Sequence, residues 1–266
     1  MSGELGRYWW RAFWGRISRR DQALADVAGM ADAAVLGTGA AAGSAPWTML
    51  PGRIDPASPL DALDYLSLDT ETTGLDPARD SIVSVGTVPI VGGRVDRAGG
   101  IEMLVNPGCP IPPVVVAIHG IGDAAVADAP AFAGVVDRLL EHLQGQVTLG
   151  HHIGFDFAML RRQTEAAGRR WTDLPALDTM LLAAVVWPHL HDLSLDALAG
   201  QLEIETAGRH SACGDAAITA EVFLHLIPKL RGRGIGTLGA ALAAQELARQ
   251  ALLLKLRARR WGWRWI

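Results

Sequence analysis

Three short segments hold the residues able to act together in chemistry. The first is Leu66-Ser67-Leu68-Asp69-Thr70-Glu71-Thr72-Thr73-Gly74-Leu75. In an extended strand, residues two apart share a face, so Asp69 and Glu71 project together. Two carboxylates aimed at one point repel unless a cation lies between them. All-oxygen ligation suits Mg²⁺ or Mn²⁺ rather than zinc. The second segment, Gly150-His151-His152-Ile153-Gly154-Phe155-Asp156, follows a short apolar run and delivers Asp156 where a helix begins. The third, Arg209-His210-Ser211-Ala212-Cys213-Gly214-Asp215-Ala216, places a histidine five residues before an aspartate near a helix start. The positive helix end there keeps Asp215 ionised. Each segment alone has an ordinary reading: a solvated strand end, an N-cap carboxylate and a surface histidine.

The elements that must position these residues follow from pattern. Tyr65–Thr70 is a short strand ending in acid. Ser81–Val91 and Arg94–Val105 are β-rich, and Gly92-Gly93 between them signals a hairpin. Pro110, Pro112 and Pro113 break the chain. Helices are expected over Ala131–Leu143, Asp156–Ala167, from Ser194 as cap through Leu202, over Gly214–Leu226 and over Thr237–Arg260, with a short buried strand at Val147–Gly150. Leu177-Asp178-Thr179 reads as a turn or cap. Antiparallel-capable strands followed by alternating helices and strands imply an α/β sheet layered by helices. No internal repeat is visible.

Composition bounds the rest. The 266 residues are 50% hydrophobic and 20% charged, enough for a full core and incompatible with disorder throughout. Two cysteines, Cys109 and Cys213, exclude a disulfide framework and a cysteine-rich zinc module, and fit a reducing, cytoplasmic setting. The net charge of −4 conceals an asymmetry: residues 61–230 carry 22 acidic and 10 basic side chains, while residues 231–266 carry eight basic and one acidic. Such an acidic domain repels a polyanion unless cations or basic appendages offset its field. No apolar run approaches the roughly 20 residues that span a bilayer, and the Arg-studded first twenty residues lack a signal-peptide apolar core. Three units are therefore expected: an Arg/Trp-bearing N-terminal extension with a Tyr8–Ile17 helix (1–60), a domain (61–230) and a basic helical C-terminal extension with a Trp/Arg tail (231–266).

Taken together, the three segments resemble the DnaQ-like 3′–5′ exonucleases of the DEDDh group, which includes the epsilon proofreading subunit of DNA polymerase III and RNase T. Asp69 and Glu71 match the first motif, Asp156 the second, and His210 with Asp215 the third, in order; Ile118-His119-Gly120-Ile121 resembles the intervening His-Gly-Ile segment. The resemblance covers about Leu63 to Leu230. It implies an RNase H-like fold with a mixed β-sheet flanked by helices, and two Mg²⁺ or Mn²⁺ ions held by Asp69, Glu71, Asp156 and Asp215. It also implies His210 as the general base that deprotonates the attacking water. Two cations about 3.5–4 Å apart stabilise both the attacking and leaving oxygens of an in-line displacement, and a histidine with a pKa near ~6.5 suits proton removal at neutral pH. One departure stands in the second motif, where His152 replaces the usual asparagine; its imidazole either alters contacts near the scissile phosphate or only packs locally.

The resemblance further suggests that Thr70, Thr72, Ile118, His119 and His152 meet the terminal nucleotide, with strand-end hydrogen bonding and loop packing as the alternatives. The expected activity is 3′–5′ hydrolysis at single-stranded 3′ ends, DNA rather than RNA on the resemblance alone. Exoribonuclease action and a scaffolding role are the competing readings. Seven of the nine tryptophans (Trp9, Trp10, Trp14, Trp47, Trp261, Trp263, Trp265) lie outside the domain, where they suit packing against the domain or a protein partner or, with arginines, nucleic acid or an anionic membrane surface.

Overall fold

A computed structural model describes the backbone of residues 54–262 and the side chains of 54–254. The expected Tyr8–Ile17 helix and the side chains of the Arg/Trp tail lie outside the described residues. The strands are β1 Tyr65–Thr72, β2 Ile82–Val91, β3 Arg94–Val95, β4 Ile101–Leu104, β5 Val147–Gly150 and β6 Ala176–Asp178. The helices are α1 Pro113–His119, α2 Asp123–Val126, α3 Phe132–Leu143, α4 Ile153–Ala166, α5 Thr179–Val186, α6 Leu195–Gln201, α7 Ala212–Arg231 and α8 Leu238–Gly262.

The sheet runs β3-β2-β1-β5-β6, with β4 also on β2. β1 pairs antiparallel with β2 and parallel with β5, and β5 pairs parallel with β6, so the sheet is mixed as expected. Both faces are covered. Tyr65, Leu149 and Leu177 join a core with α5, α7 and α8, while Leu66 and Leu68 join a second core with Val136 and Leu139 of α3 and Met159 and Leu160 of α4. β1 therefore alternates between two cores instead of between core and water.

The hairpin forms at Gly92 and Gly93, both with positive φ (56° and 73°), which the type I′ turn demands. The long strand expected over Arg94–Val105 is divided. Asp96 accepts from Gly99 N at 3.0 Å and caps a 3₁₀ turn over Arg97–Gly99, and pairing with β2 resumes only at Ile101. The prolines expected to break the chain instead start α1: Pro112 is its N-cap and Pro113 occupies the first turn, where a missing N–H costs nothing. Leu177-Asp178-Thr179 ends a strand, and Asp178 caps α5, its Oδ1 accepting from Met180 N at 3.0 Å. The helix it starts was not expected, because all eight residues of α5 are buried and leave no apolar period to read. No helix among the described residues is long and apolar enough to cross a membrane.

The C-terminal helix packs on the domain. Leu238, Ala241, Ala244, Ala248 and Ala251 of α8 are buried in the same core as β5, α5 and α7, so packing continues across residue 230. Gln245 ties this helix to the free edge of β6. Its Oε1 accepts from Asp178 N at 2.9 Å and its Nε2 donates to Ala176 O at 2.8 Å, the two bonds a neighbouring strand would have made. At the start of α8, Leu60 N donates to Gly236 O and Leu238 N to Ser58 O, both at 3.0 Å, which fastens the entering chain beside it.

Candidate active site

Strand alternation sends Asp69 and Glu71 to the face covered by α7, and Thr70 to the face covered by α4. Two glycines bring α7 close enough to answer them. Gly86, paired with Asp69 across β1 and β2, lies where a Cβ would stand 2.1 Å from the carbonyl carbon of Ala212, so the first turn of α7 rests on bare strand backbone. A Cβ at Gly214 would stand 1.8 Å from Gly208 O, so the preceding loop folds tightly over the same turn. Ser211 caps the helix by accepting from Gly214 N at 3.1 Å. Asp215 follows, buried, one turn into α7.

Carboxylate oxygens of Asp69, Glu71 and Asp215 all lie within 4.8 Å of one another. Burial and mutual repulsion raise the proton affinity of the whole set. Asp69 is pushed well above the usual carboxylate range by burial and then by Asp215, Asp156 and Glu71; Glu71 is pushed up to about 8 by burial and then by Asp215. Asp215 rises to about 6 through burial, against the pull of Arg209. Asp156, in the first turn of α4, rises to about 7 through burial, while the Thr70 hydroxyl, donating to its Oδ1 at 2.6 Å, opposes the rise. Asp156 acts on the acidic centre, raising Asp69 and Glu71, but is held to Thr70 and not gathered into the tight group of three. Such a group of oxygens is stable as anions only with a cation among them, and the donor set fits Mg²⁺ or Mn²⁺.

His210 sits on the loop before α7 with φ 69°, and its backbone N donates to Asp215 Oδ1 at 3.1 Å. Burial and then the neighbouring Arg209 charge lower its affinity for protons, so the ring is neutral at neutral pH. Arg209, to which the sequence reading gave no role, reaches into the centre. Nε donates to Asp196 Oδ1 at 2.6 Å, Nη1 donates to Asp215 Oδ2, and Nη1 lies 3.4 Å from His210 Nδ1. A basic residue directly before the candidate histidine, in a domain of net −12, was the available signal.

The residues expected at the terminal nucleotide are placed as follows. The Thr70 hydroxyl is engaged by Asp156, and the Thr72 hydroxyl donates to Gly74 O at 2.6 Å. Ile118 and His119 are partly exposed at the end of α1. His119 Nδ1 accepts from Ile121 N at 3.1 Å, which leaves the ring proton on Nε2 to donate to Thr72 O at 3.3 Å. This pins α1 to the end of β1. His152, in the left-handed region at φ 65°, is the N-cap of α4, and its backbone N donates to Asp178 Oδ1 at 3.0 Å. His151 is half-buried and neutral, its pKa lowered to about 3 chiefly by desolvation, with Nδ1 3.0 Å from Thr179 Oγ1.

Residues 66–223 match the exonuclease family, RNase_T, and so include the strand of Asp69 and Glu71, the helix start of Asp156 and the loop and helix of His210 and Asp215. The chain belongs to the exonuclease family. The chain is 46% identical over 188 residues to a DNA polymerase III subunit epsilon-like protein of Rhodobacter capsulatus, a match covering 70% of this chain and 27% of that one. It is 32% identical over 177 residues to the DNA polymerase III subunit epsilon of Rickettsia conorii, covering 63% of this chain and 75% of the relative. Among solved structures it resembles exonuclease X in complex with 5′ overhanging duplex DNA, with 25% identity, a TM-score of 0.54, and coverage of 68% of this chain and 99% of that one. The chain spans 27% of the Rhodobacter relative's length. The exonuclease domain has the mixed sheet and flanking helices of the RNase H-like fold.

Proposed function

We propose that this domain hydrolyses phosphodiester bonds from single-stranded 3′ ends, DNA before RNA, releasing nucleoside monophosphates with Mg²⁺ or Mn²⁺ as cofactor. The observation that carries this reading is the convergence of Asp69, Glu71 and Asp215 within 4.8 Å, beside His210. DNA is favoured by the relatives named for DNA polymerase III and by the exonuclease X complex with DNA.

Asp69, Glu71 and Asp215 would hold the ions, with Asp156 completing the set. Two divalent cations so held supply charge stabilisation to the attacking and leaving oxygens of an in-line displacement. Neutral His210 takes the proton of the attacking water. Thr70, Thr72, Ile118 and His119 lie at the ends of β1 and α1, His152 lies at the start of α4, and the five together would line the seat of the terminal nucleotide; His119 contributes by fixing the backbone at the end of β1. The Arg- and Trp-rich ends serve partner recruitment, in keeping with seven tryptophans outside residues 61–230, and two free cysteines accord with a cytoplasmic setting.

The test is an assay on 5′-labelled single-stranded DNA and RNA with Mg²⁺, Mn²⁺ or EDTA. Stepwise shortening from the 3′ end of DNA, lost in EDTA and in Asp69→Asn, is expected. Faster shortening of RNA would reassign the substrate, and turnover in EDTA would overturn the reading.

A further inference from the structure

Carboxylates gathered as closely as Asp69, Glu71 and Asp215 need a positive partner or bound protons to remain together. The protein supplies one itself. Arg209 is largely buried (side chain 15% exposed), and its guanidinium donates to Oδ2 of Asp215, a residue of the same group of three, while Nε anchors on the half-exposed Asp196 at the start of α6. The neighbouring contact explains why the side chain reaches this point: Arg209 leaves a loop whose Gly208 has φ 83° and whose Ser211 Oγ donates to Gly208 O at 2.8 Å, so the chain doubles back across the first turn of α7.

We infer that Arg209 is an internal counter-ion of Asp215 which competes with a divalent ion for that carboxylate and yields it when the ion binds. The guanidinium and the ion claim the same carboxylate. A guanidinium has no lone pair to share with a metal, and a second positive charge beside Asp215 raises the energy of the loaded site. Asp196 remains available to Arg209 afterwards, so the side chain turns about its Nε bond instead of losing every partner. Arg209 therefore acts on metal affinity, as a positioning residue, and not on the reacting atoms. The inference rests on the metal-binding reading of the acidic centre.

The experiment is calorimetric titration of the full chain with Mn²⁺ alone, comparing wild type, Arg209→Met, Arg209→Lys and Asp69→Asn, together with thermal unfolding of the metal-free proteins. Arg209→Met should bind Mn²⁺ tighter by on the order of tenfold, because a competing unit charge a few ångströms away is removed. It should also unfold at lower temperature without metal, and gain more from added Mn²⁺ than wild type does. Arg209→Lys should lie between the two. Should the methionine variant fold poorly, Arg209→Gln, which keeps a donor while shedding the charge, reads the same affinity. Unchanged or weakened Mn²⁺ binding in the folded Met or Gln variant, with binding still abolished in Asp69→Asn, overturns the counter-ion role and leaves the metal site standing. Absence of Mn²⁺ binding in every protein overturns both.

Discussion

Thr70 on β1 donates its hydroxyl proton to Oδ1 of Asp156 on α4 at 2.6 Å. The bond crosses from the strand that carries the first acidic pair to the helix that carries the next carboxylate. It favours the charged form of Asp156, which burial opposes. Thr70→Val keeps the β-branched shape and loses the donor. Asp156 should then hold its proton to higher pH than its present value of about 7. At limiting Mn²⁺, where proton and cation compete for Asp156, nuclease activity at pH 7 should fall by on the order of tenfold, the worth of a hydrogen bond to a charged group, and recover at higher pH or at saturating Mn²⁺. A pH–rate profile checks this; equal loss at every pH would mean that Thr70 acts otherwise.

The metal-free domain should lose stability as pH rises. The unfolded carboxylates titrate near ~4, whereas Glu71 and Asp156 are raised to about 8 and about 7, and Asp69 is raised as well. Groups raised in the folded state make it bind more protons than the unfolded chain, so stability is present at low pH and is lost as pH climbs through the folded values. The half-buried histidines act oppositely but only below their ordinary range near ~6.5. Thermal unfolding in EDTA should therefore show a falling midpoint between pH ~7 and ~8.5, and saturating Mn²⁺ should flatten the slope by replacing protons with cation. A rising midpoint in EDTA would contradict the acidic cluster as described.

Gly86 holds no chemistry, yet its substitution should disable the site. An alanine methyl would stand 2.1 Å from Ala212 C and 2.2 Å from Cys213 N, both backbone atoms that cannot rotate away. The start of α7 must shift, and Asp215 with it. Gly86→Ala should cost about 1–3 kcal/mol of stability by overpacking and weaken Mn²⁺ binding, measured by urea unfolding and calorimetry. Wild-type metal affinity in the folded variant would show that α7 tolerates the shift.

Gln245→Leu tests whether α8 belongs to the domain. It preserves bulk while leaving Asp178 N–H and Ala176 C=O at the β6 edge without their partner. Loss of about 2 kcal/mol in urea unfolding is expected from the unsatisfied backbone groups. No change would assign the edge bonds to water.

The acidic pair was legible because β alternation is a property of the strand itself: Asp69 and Glu71 share a face whatever the rest of the chain does. Asp156 and Asp215 were legible as helix starts. Other features depend on distant chain. α5 is enclosed on all sides, so its eight residues carry no period, and only Asp178 in front of them marked a cap. Pro113 reads as a breaker in isolation and as a first-turn residue once Pro112 is extended before it. The Ala-rich face of α8 declared a helix but not the β6 edge that Gln245 completes. Arg209 could be placed only after the loop's left-handed residues were known, because those dihedrals set its direction.

His210 and His152 both adopt left-handed backbone, at φ 69° and 65°, a region that suits glycine and charges other residues on the order of 1 kcal/mol or more. At position 210 a glycine would relieve the backbone and remove the imidazole in one change. Selection for robustness alone would drift toward it; if His210 is the general base proposed above, selection for hydrolysis opposes that drift. On that reading position 210 sets durability against turnover, and a laboratory search for heat-resistant variants that ignores activity should accept glycine there.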